Sequence, residues 1–247
     1  MKDYTIHTHF LVDQKVLIIP QNSDNYSYLL IDAGNGILID PSEEKILDIL
    51  QNQKINLTHI LSTHHHQDHV AANLYLKKKT GCKILGPNDS RIPGLSTPLK
   101  DEEVFTIENL TFRAIHTPSH TKSHMVYYLE NQKALFSGDT LFVCGCGRLF
   151  EGSAQDMKSS LEKIKKLPKE TQIFCGHEYT IKNLKFAISL DNDNSKLKEE
   201  LTKAEMKISK NIPTVPSTLE FELKFNPFMK GQTIEEFSEI REKRNEY

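Results

Sequence analysis

The chain of 247 residues has no tryptophan, only four cysteines, and a formal net charge of just −2 from 31 basic and 33 acidic side chains. Cys82, Cys144, Cys146 and Cys175 are too sparse for a disulfide scaffold, and Cys144-x-Cys146 is too tight for an ordinary bridge. Reduced thiols and a cytoplasmic setting are expected. The near balance of charge removes the basic excess that nucleic acid or an anionic membrane surface requires, so neither is an expected partner. No apolar run approaches the ~18 residues of a membrane span, and residues 1–5 lack the apolar stretch of a secretion signal. With 38% hydrophobic and 26% charged residues, the composition is globular, and the length allows one large domain or one plus a modest appendage.

What the chain does contain is a series of short strand patterns followed by helical ones. Runs at 16–19, 26–31 and 36–39 are β-rich and separated by turn chemistry. After Pro41, Ser42 is placed to cap a helix with Glu43 and Glu44 in its first turn and Ile46, Leu47 and Leu50 on its apolar side. Residues 58–63 return as a strand, and 70–79 have helical composition ending at Gly81, a C-cap. Further strands are expected at 83–85, 104–107, 111–116, 125–129, 134–136 and 172–175, two pairs of them as hairpins. Met157, Leu161 and Ile164, at i, i+4, i+7, mark a helix between them. Hairpin and helical connections together imply a mixed sheet with helices on its faces, an α+β fold.

Beyond about Tyr179 the pattern turns helical. Ile181, Leu184 and Ile188 share one face, and Leu197, Leu201, Ala204 and Ile208 share another. Segment 213–228 is open between a strand, from the alternation of Leu219, Phe221, Leu223 and Phe225, and a helix, from Ser217-x-x-Glu220. Thr233-x-x-Glu236 is a clearer capping box, starting a final helix to about Arg244. The expected division is a first domain over 1–175 and a helical domain over 176–247.

The 11 histidines are clustered. In Thr63-His-His-His-Gln-Asp-His69, between a strand and a helix, the side chains are expected on a loop at a sheet edge. His64 and His66, two apart, point the same way from an extended chain. Asp68 and His69 offer a carboxylate and an imidazole in a second direction. Borderline-soft Zn²⁺ takes such donors. One loop cannot fill two coordination shells, so further ligands are required at other strand ends. His120, Asp139 and His177 meet that requirement, and Gly138 and Gly176 before two of them allow close backbone approach. Each of the three taken singly reads as an ordinary hydrogen-bonded polar group. Together with HxHxDH they close two metal sites. His7, His9, His59, His65, His116 and His124 have no such context and default to structural or surface roles.

Two adjacent divalent ions define the chemistry. Water bridging them loses a proton near neutral pH, because even one Zn²⁺ lowers its pKa to ~7, and hydrolysis is the natural outcome. Asp139, with two carboxylate oxygens, is the candidate to bridge the ions, and one ion can stabilise a developing oxyanion. Zinc is the expected metal; the same donors suit iron and manganese.

At these residues the sequence resembles the metallo-β-lactamase superfamily, which has the HxHxDH motif and the later His, Asp and His. Asn25-Tyr-Ser-Tyr-Leu, Thr140-Leu-Phe-Val-x-Gly-Cys-Gly-Arg148, Gly176-His-Glu-Tyr-Thr, Pro216-Ser-Thr-Leu and Asn226-Pro-Phe-Met-Lys resemble its glyoxalase II branch, the hydroxyacylglutathione hydrolases. The resemblance runs essentially from end to end. It implies an αββα sandwich followed by an α-helical domain, and hydrolysis of S-lactoylglutathione to D-lactate and glutathione, the second step of methylglyoxal detoxification. By position it implies that His64, His66 and His120 bind one metal and Asp68, His69 and His177 the other. Asp139 and a hydroxide bridge them, so Asp139 and Asp68 are the candidate catalytic carboxylates. The family's glutathione contacts fall on Arg148, Tyr179, Arg241 and Arg244, with Phe150 further along the same loop.

The last helix supports part of this, since Phe237, Arg241 and Arg244 lie at i, i+4, i+7 and place an apolar anchor and two guanidinium groups on one face. A thioester is also suitable chemistry, because a thiolate of pKa ~8.5 leaves without a dedicated general acid. The chain departs from the family loop Thr-Pro-Gly-His-Thr-x-Gly-His by having Ser119 and Ser123 at its glycine positions. A Ser there strains the loop if φ must be positive. Arg148 and Phe150 stand where Lys and Tyr are usual, Arg244 where Lys is, and Asn245 where Asp is. The competing readings are a lactonase, an RNA-processing nuclease, a mono-iron persulfide dioxygenase, and a metal-binding module without turnover. A monomer is expected.

Overall fold

The computed structural model describes residues 5–231 and 233–247. Residues 1–4, most of the stretch read for a secretion signal, lie outside the described residues. A seven-stranded sheet takes its strands in chain order: β1 (His7–Phe10), β2 (Lys15–Gln21), β3 (Asn25–Asp32), β4 (Asn35–Ile39), β5 (Asn56–Leu61), β6 (Lys83–Pro87) and β7 (Thr97–Leu99). The first four are antiparallel, and β4 through β7 are parallel neighbours. Helix α1 (Ile46–Asn52) makes the crossover to β5, and α2 (Gln67–Val70) with α3 (Asn73–Thr80) the crossover to β6.

The second sheet is built from β8 (Val104–Ile107), β9 (Leu110–His116), β10 (Met125–Leu129) and β11 (Ala134–Gly138). A small hairpin, β12 (Leu141–Phe142) and β13 (Gly145–Cys146), and helix α4 (Ala154–Ile164) intervene before β14 (Gln172–Cys175). Four helices follow: α5 (Thr180–Leu190), α6 (Ser195–Ser209), α7 (Leu219–Phe225) and α8 (Ile234–Glu246), with edge strand β15 (Ser217–Thr218) just before α7. The six strands of this sheet are ordered β15-β14-β11-β10-β9-β8.

The layers follow from side-chain alternation, since successive residues of a strand point to opposite faces. In β2, Val16 and Ile18 enter the core between the sheets, where Tyr28, Ile37, Phe112, Tyr127, Phe136 and Phe174 also lie. Leu17 and Ile19 point outward against Ile46 and Leu50 of α1 and Leu76 of α3. The outer face of the second sheet (Val126, Tyr128, Leu135, Ile173) packs on Met157, Leu161 and Ile164 of α4 and Phe237 of α8. Each such burial contributes about 1.5–3 kcal/mol. The result is the expected αββα sandwich with a helical C-terminal region, in which α5 and α6 share a smaller core around Leu184, Ala187, Leu197 and Ala204.

Local signals held at several ends. Gly81 closes α3 at φ 76°, and Thr233 with Glu236 forms the capping box of α8. Two expectations are corrected, and the open segment resolves to a short helix. Ser42 does not cap α1, which begins at Ile46; instead the Gln21 Oε1 atom takes the Ser42 N–H (2.8 Å) and Glu43 N–H (2.9 Å). Asp68 and His69 lie not on a loop but in the short helix α2. Segment 213–228 is neither a long strand nor a helix capped by Ser217: Thr218 caps α7 by accepting the Phe221 N–H, while Ser217 donates to Glu222.

Candidate metal centre and substrate cavity

All the metal-ligand candidates converge at one edge of the sandwich, just past the C-terminal ends of β5, β9, β11 and β14. The first of these loops is anchored by Asp40, which accepts hydrogen bonds from the Thr63 N–H (2.7 Å) and hydroxyl (2.6 Å). His64 Nε2 and His120 Nε2 lie 3.1 and 3.0 Å from His66 Nδ1, so the three rings converge on one point. Asp68, His69 and His177 form a second convergent set: Asp68 Oδ2 is 3.6 Å from His69 Nε2 and 3.4 Å from His177 Nε2. Asp139 stands between the two sets, with Oδ2 3.3 Å from both His120 Nε2 and His177 Nε2, and Oδ1 3.4 Å from His69 Nε2.

Three of the imidazoles are held by a partner on the nitrogen that faces away from the centre, as metal-ligating histidines commonly are. His69 Nδ1 faces Asp40 (3.1 Å), His177 Nδ1 faces Asp24 (2.9 Å), and His120 Nδ1 donates to the Arg148 carbonyl (3.1 Å). Asn25 Nδ2 donates to Asp68 Oδ2 at 2.9 Å. Asp40 is also near enough to His64 and His69 to make a third set, but its oxygens are engaged by Thr63 and His69. It positions ligands and does not complete a shell.

The electrostatics suit cations. Burial holds His64 well below the usual imidazole range and, with His120 nearby, brings His66 down to about 4, so both rings are neutral donors of lone pairs. Burial opposes charge on His177 as well, yet Asp139 and Asp24 raise it to about 10. For Asp139 burial favours the neutral acid but is outweighed by His177 and His69, which hold the carboxyl well below its ordinary range. The buried Asp139 Oδ1 has no hydrogen-bond partner among the described residues. Opposed nitrogen lone pairs at 3.0 Å and an unpartnered buried carboxylate oxygen fit a divalent cation, and the two N/O donor sets suit zinc, iron or manganese. The glycines matter as expected: a Cβ on Gly176 would lie 2.4 Å from Asp139 Oδ1, and one on Gly138 2.6 Å from Thr63 Oγ1.

Sequence reasoning missed the supports Asp24, Asn25 and Asp40, and it missed His124. Burial keeps His124 neutral; its Nε2 accepts the Asp139 N–H at 3.1 Å and its ring stacks on His64. No local pattern marks these positions, although Asn25 opens the Asn-Tyr-Ser-Tyr-Leu motif.

The centre opens into a cavity of about 390 Å³ lined also by Arg148, Tyr179, Lys182, Asn183, Arg241 and Arg244. Arg241 and Arg244 are not on a solvated face; both are buried. Arg241 Nη1 donates to the Cys146 carbonyl at 2.7 Å, and Arg244 donates to Asn183 Oδ1 through Nη2 (2.9 Å) and Nε (3.2 Å). Their guanidinium groups lie over Phe228 and Phe186. Tyr179 stacks on His177 with ring centroids 4.7 Å apart. Arg148 is exposed at the rim, and Phe150 presents its ring to His66 and His120 at 5.8 and 5.2 Å. Lys182 and Asn183 are cavity residues the sequence reading did not single out.

Of the two loop serines, Ser119 has φ 152° and Ser123 has no positive φ. Ser123 instead donates to Asp89 Oδ2 at 2.6 Å. The strain foreseen for a serine in this loop therefore falls on Ser119 alone.

The metallo-β-lactamase superfamily model matches residues 22–95 and 87–177, and the hydroxyacylglutathione hydrolase C-terminus model matches residues 178–247. The chain is 42% identical over 238 residues to the hydroxyacylglutathione hydrolase of Pelagibacter ubique, covering 94% of this chain and 100% of that one. It is 41% identical to that of Methylococcus capsulatus (94% and 98% covered) and 39% identical to the cytoplasmic hydroxyacylglutathione hydrolase of Arabidopsis thaliana (87% and 88% covered). Among solved structures, ETHE1 from Myxococcus xanthus superposes with a TM-score of 0.71 at 25% identity, covering 98% of this chain and 91% of that one. The BLEG-1 B3 metallo-β-lactamase shares the fold at a TM-score of 0.65 and 24% identity, covering 87% and 99%. The chain is a metal-dependent hydrolase and belongs to the hydroxyacylglutathione hydrolase family, a branch of the metallo-β-lactamase superfamily.

Proposed function

We propose that this protein hydrolyses S-lactoylglutathione and related 2-hydroxyacyl glutathione thioesters to the 2-hydroxy acid, D-lactate for the lactoyl group, and free glutathione, completing methylglyoxal detoxification. One observation carries the reading: a convergent His/Asp centre opens into a cavity whose wall holds two buried guanidinium groups, Arg241 and Arg244. A hydrolytic centre that faced only small neutral substrates would have no use for buried positive charge, which is costly to desolvate.

In this reading His64, His66 and His120 hold one divalent ion, Asp68, His69 and His177 a second, and Asp139 lies between them. Two zinc ions so held would supply a water acidified to near neutral pH and a Lewis acid for the thioester carbonyl. The chain's residues do the rest. Asp24 and Asp40 face the Nδ1 atoms of His177 and His69, which directs each Nε2 to the centre, and His124 holds the Asp139 backbone. Arg241, Arg244 and Arg148 bind the carboxylates of glutathione, and Tyr179 packs against its chain beside His177. The departing thiolate, with a pKa near ~8.5, needs no side-chain acid. The proposed domain division, 1–175 for the metal centre and 176–247 for glutathione, is supported by the boundary between the two family models. Four buried free thiols support the cytoplasm. Among the described residues no helix is long and apolar enough to cross a membrane.

The test is steady-state hydrolysis of a panel of glutathione thioesters, lactones and phosphodiesters beside metal content. Turnover of S-lactoylglutathione with about two metal ions per chain is expected. Turnover of a lactone or phosphodiester but not of the thioester, or one iron per chain with oxygen consumption, overturns the reading. Asp139→Ala should lower kcat by about 10²- to 10³-fold, on the scale of losing a principal electrostatic group of a catalytic site; surviving thioesterase activity removes Asp139 from its role.

A further inference from the structure

Glu222 is a fully buried carboxylate of α7 that neither the metal centre nor the substrate cavity uses directly. It accepts three hydrogen bonds: from the Cys144 N–H to Oε2 (2.8 Å), from Asn226 Nδ2 to Oε2 (2.9 Å), and from the Ser217 hydroxyl to Oε1 (2.6 Å). Asn226 Nδ2 also donates to the Gly145 carbonyl at 3.0 Å. Both side chains thus grip the two-residue turn between β12 and β13, whose second residue, Cys144, sits in left-handed backbone at φ 56°. A non-glycine residue there costs energy and persists only when its surroundings enforce it.

That hairpin is what the substrate wall hangs on. The Val143 carbonyl accepts from Asn183 Nδ2 at 2.9 Å, and Asn183 Oδ1 in turn accepts the two hydrogen bonds from Arg244. The Cys146 carbonyl holds Arg241 at 2.7 Å. Asn183 has no slack, because a Cβ on Gly145 would fall 2.5 Å from its Nδ2. Burial raises the Glu222 carboxyl to about 7, so its hold on the turn comes from the reach and acceptor geometry of the side chain and not from a full charge.

We propose that Glu222 is a positioning residue for substrate binding: it fixes the 143–144 turn in the one shape from which the Val143 and Cys146 carbonyls aim Arg244 and Arg241 into the cavity. The proposal rests on the glutathione thioester reading above. Its physical content is reach, since the acceptor must meet the Cys144 N–H and Asn226 at once. A glutamine has that reach without charge, with Ser217 rotating its hydroxyl to accept. An aspartate has the charge but is one methylene short.

The test is steady-state kinetics of Glu222→Asp and Glu222→Gln with two substrates, S-lactoylglutathione and the lactoyl thioester of N-acetylcysteamine, which has no carboxylate for the arginines. For E222D, KM for S-lactoylglutathione should rise about five- to twentyfold with kcat within about twofold. Its kcat/KM for the small thioester and its metal content should stay at the wild-type level, and E222Q should match wild type in all of these. The proposal is overturned if E222Q loses affinity while E222D keeps it, if E222D slows both substrates equally, or if neither variant changes KM. Absence of thioester turnover in the wild-type enzyme would instead remove the functional reading itself.

Discussion

Ser119 is held at φ 152° one residue before the ligand His120, where its carbonyl accepts the N–H groups of Glu151 (3.3 Å) and Gly152 (2.9 Å). The Gly152 backbone approaches so closely that a Cβ there would fall 2.5 Å from Ser119 Cα, so the loop cannot relax away. Such backbone costs a non-glycine residue about 1–3 kcal/mol. Ser119→Gly relieves that cost and gives up one long hydrogen bond, 3.3 Å, to the Ser153 carbonyl and some unfolded-state entropy. A net gain of about 1 kcal/mol, or about 2–4 °C in Tm, is expected for a chain of this size. A lower Tm for S119G in thermal denaturation would show that the loop stores no strain.

Glu222 gives a second prediction of the same kind. Its carboxyl lies at about 7 in the fold against ~4.3 unfolded. Between those values the folded state keeps a proton the unfolded state has released. Its favourable contribution is therefore present below about pH 4 and lost as pH rises through about 7, by up to about 4 kcal/mol. E222Q has no such group. The stability of E222Q relative to wild type in urea should rise from pH 5 to pH 8, and a constant difference would mean that the carboxyl titrates normally.

The last helix, α8, was the most legible element. Its capping box and the spacing of Phe237, Arg241 and Arg244 on one face are local signals, and in the fold all three side chains are buried. What local pattern could not say is whether the arginines face solvent or the core, because that depends on Phe186, Asn183 and Cys146 far away in sequence. Helix α7 was illegible for a different reason. Leu219 and Leu223 pack into one core and Phe221 and Phe225 into another. A helix buried on two sides shows an apolar residue at every second position, which is also the signature of a strand. Position α2 was misjudged because four residues are too few for a helical period to register. On α8 the consequence is kinetic. Arg244→Met removes a charged donor from the proposed carboxylate site, worth about 1.5–3 kcal/mol. KM for S-lactoylglutathione should therefore rise about 10- to 100-fold while kcat stays within about threefold. A fall in kcat at constant KM would place Arg244 in the chemistry and not in binding.

Across the whole molecule, the seven ligand candidates were readable because each lies in a short motif at a strand end, where chain direction alone delivers it to one edge of the sandwich. Their supports were not, since Asp24, Asp40 and His124 act on residues brought close only by folding. This arrangement gives the centre a mechanical role. His64 and His66 follow β5 of the first sheet, whereas His120, Asp139 and His177 follow β9, β11 and β14 of the second. Ions bound there would cross-link the two sheets at an edge where Asp139 and Asp68 otherwise face each other across buried histidines. Because metal binds the assembled site and not the scattered ligands of the unfolded chain, it stabilises the fold by mass action, about 4 kcal/mol at a thousandfold excess over Kd. At about 2–4 °C per kcal/mol, chelation should lower Tm by about 10 °C, and zinc should restore it. In Asp139→Ala the same treatment should move Tm by less than half as much, because the carboxylate that lies between the two donor sets is gone. Metal-free protein that melts at the holoenzyme's temperature would show that the sandwich closes on its own packing and that the centre contributes chemistry alone.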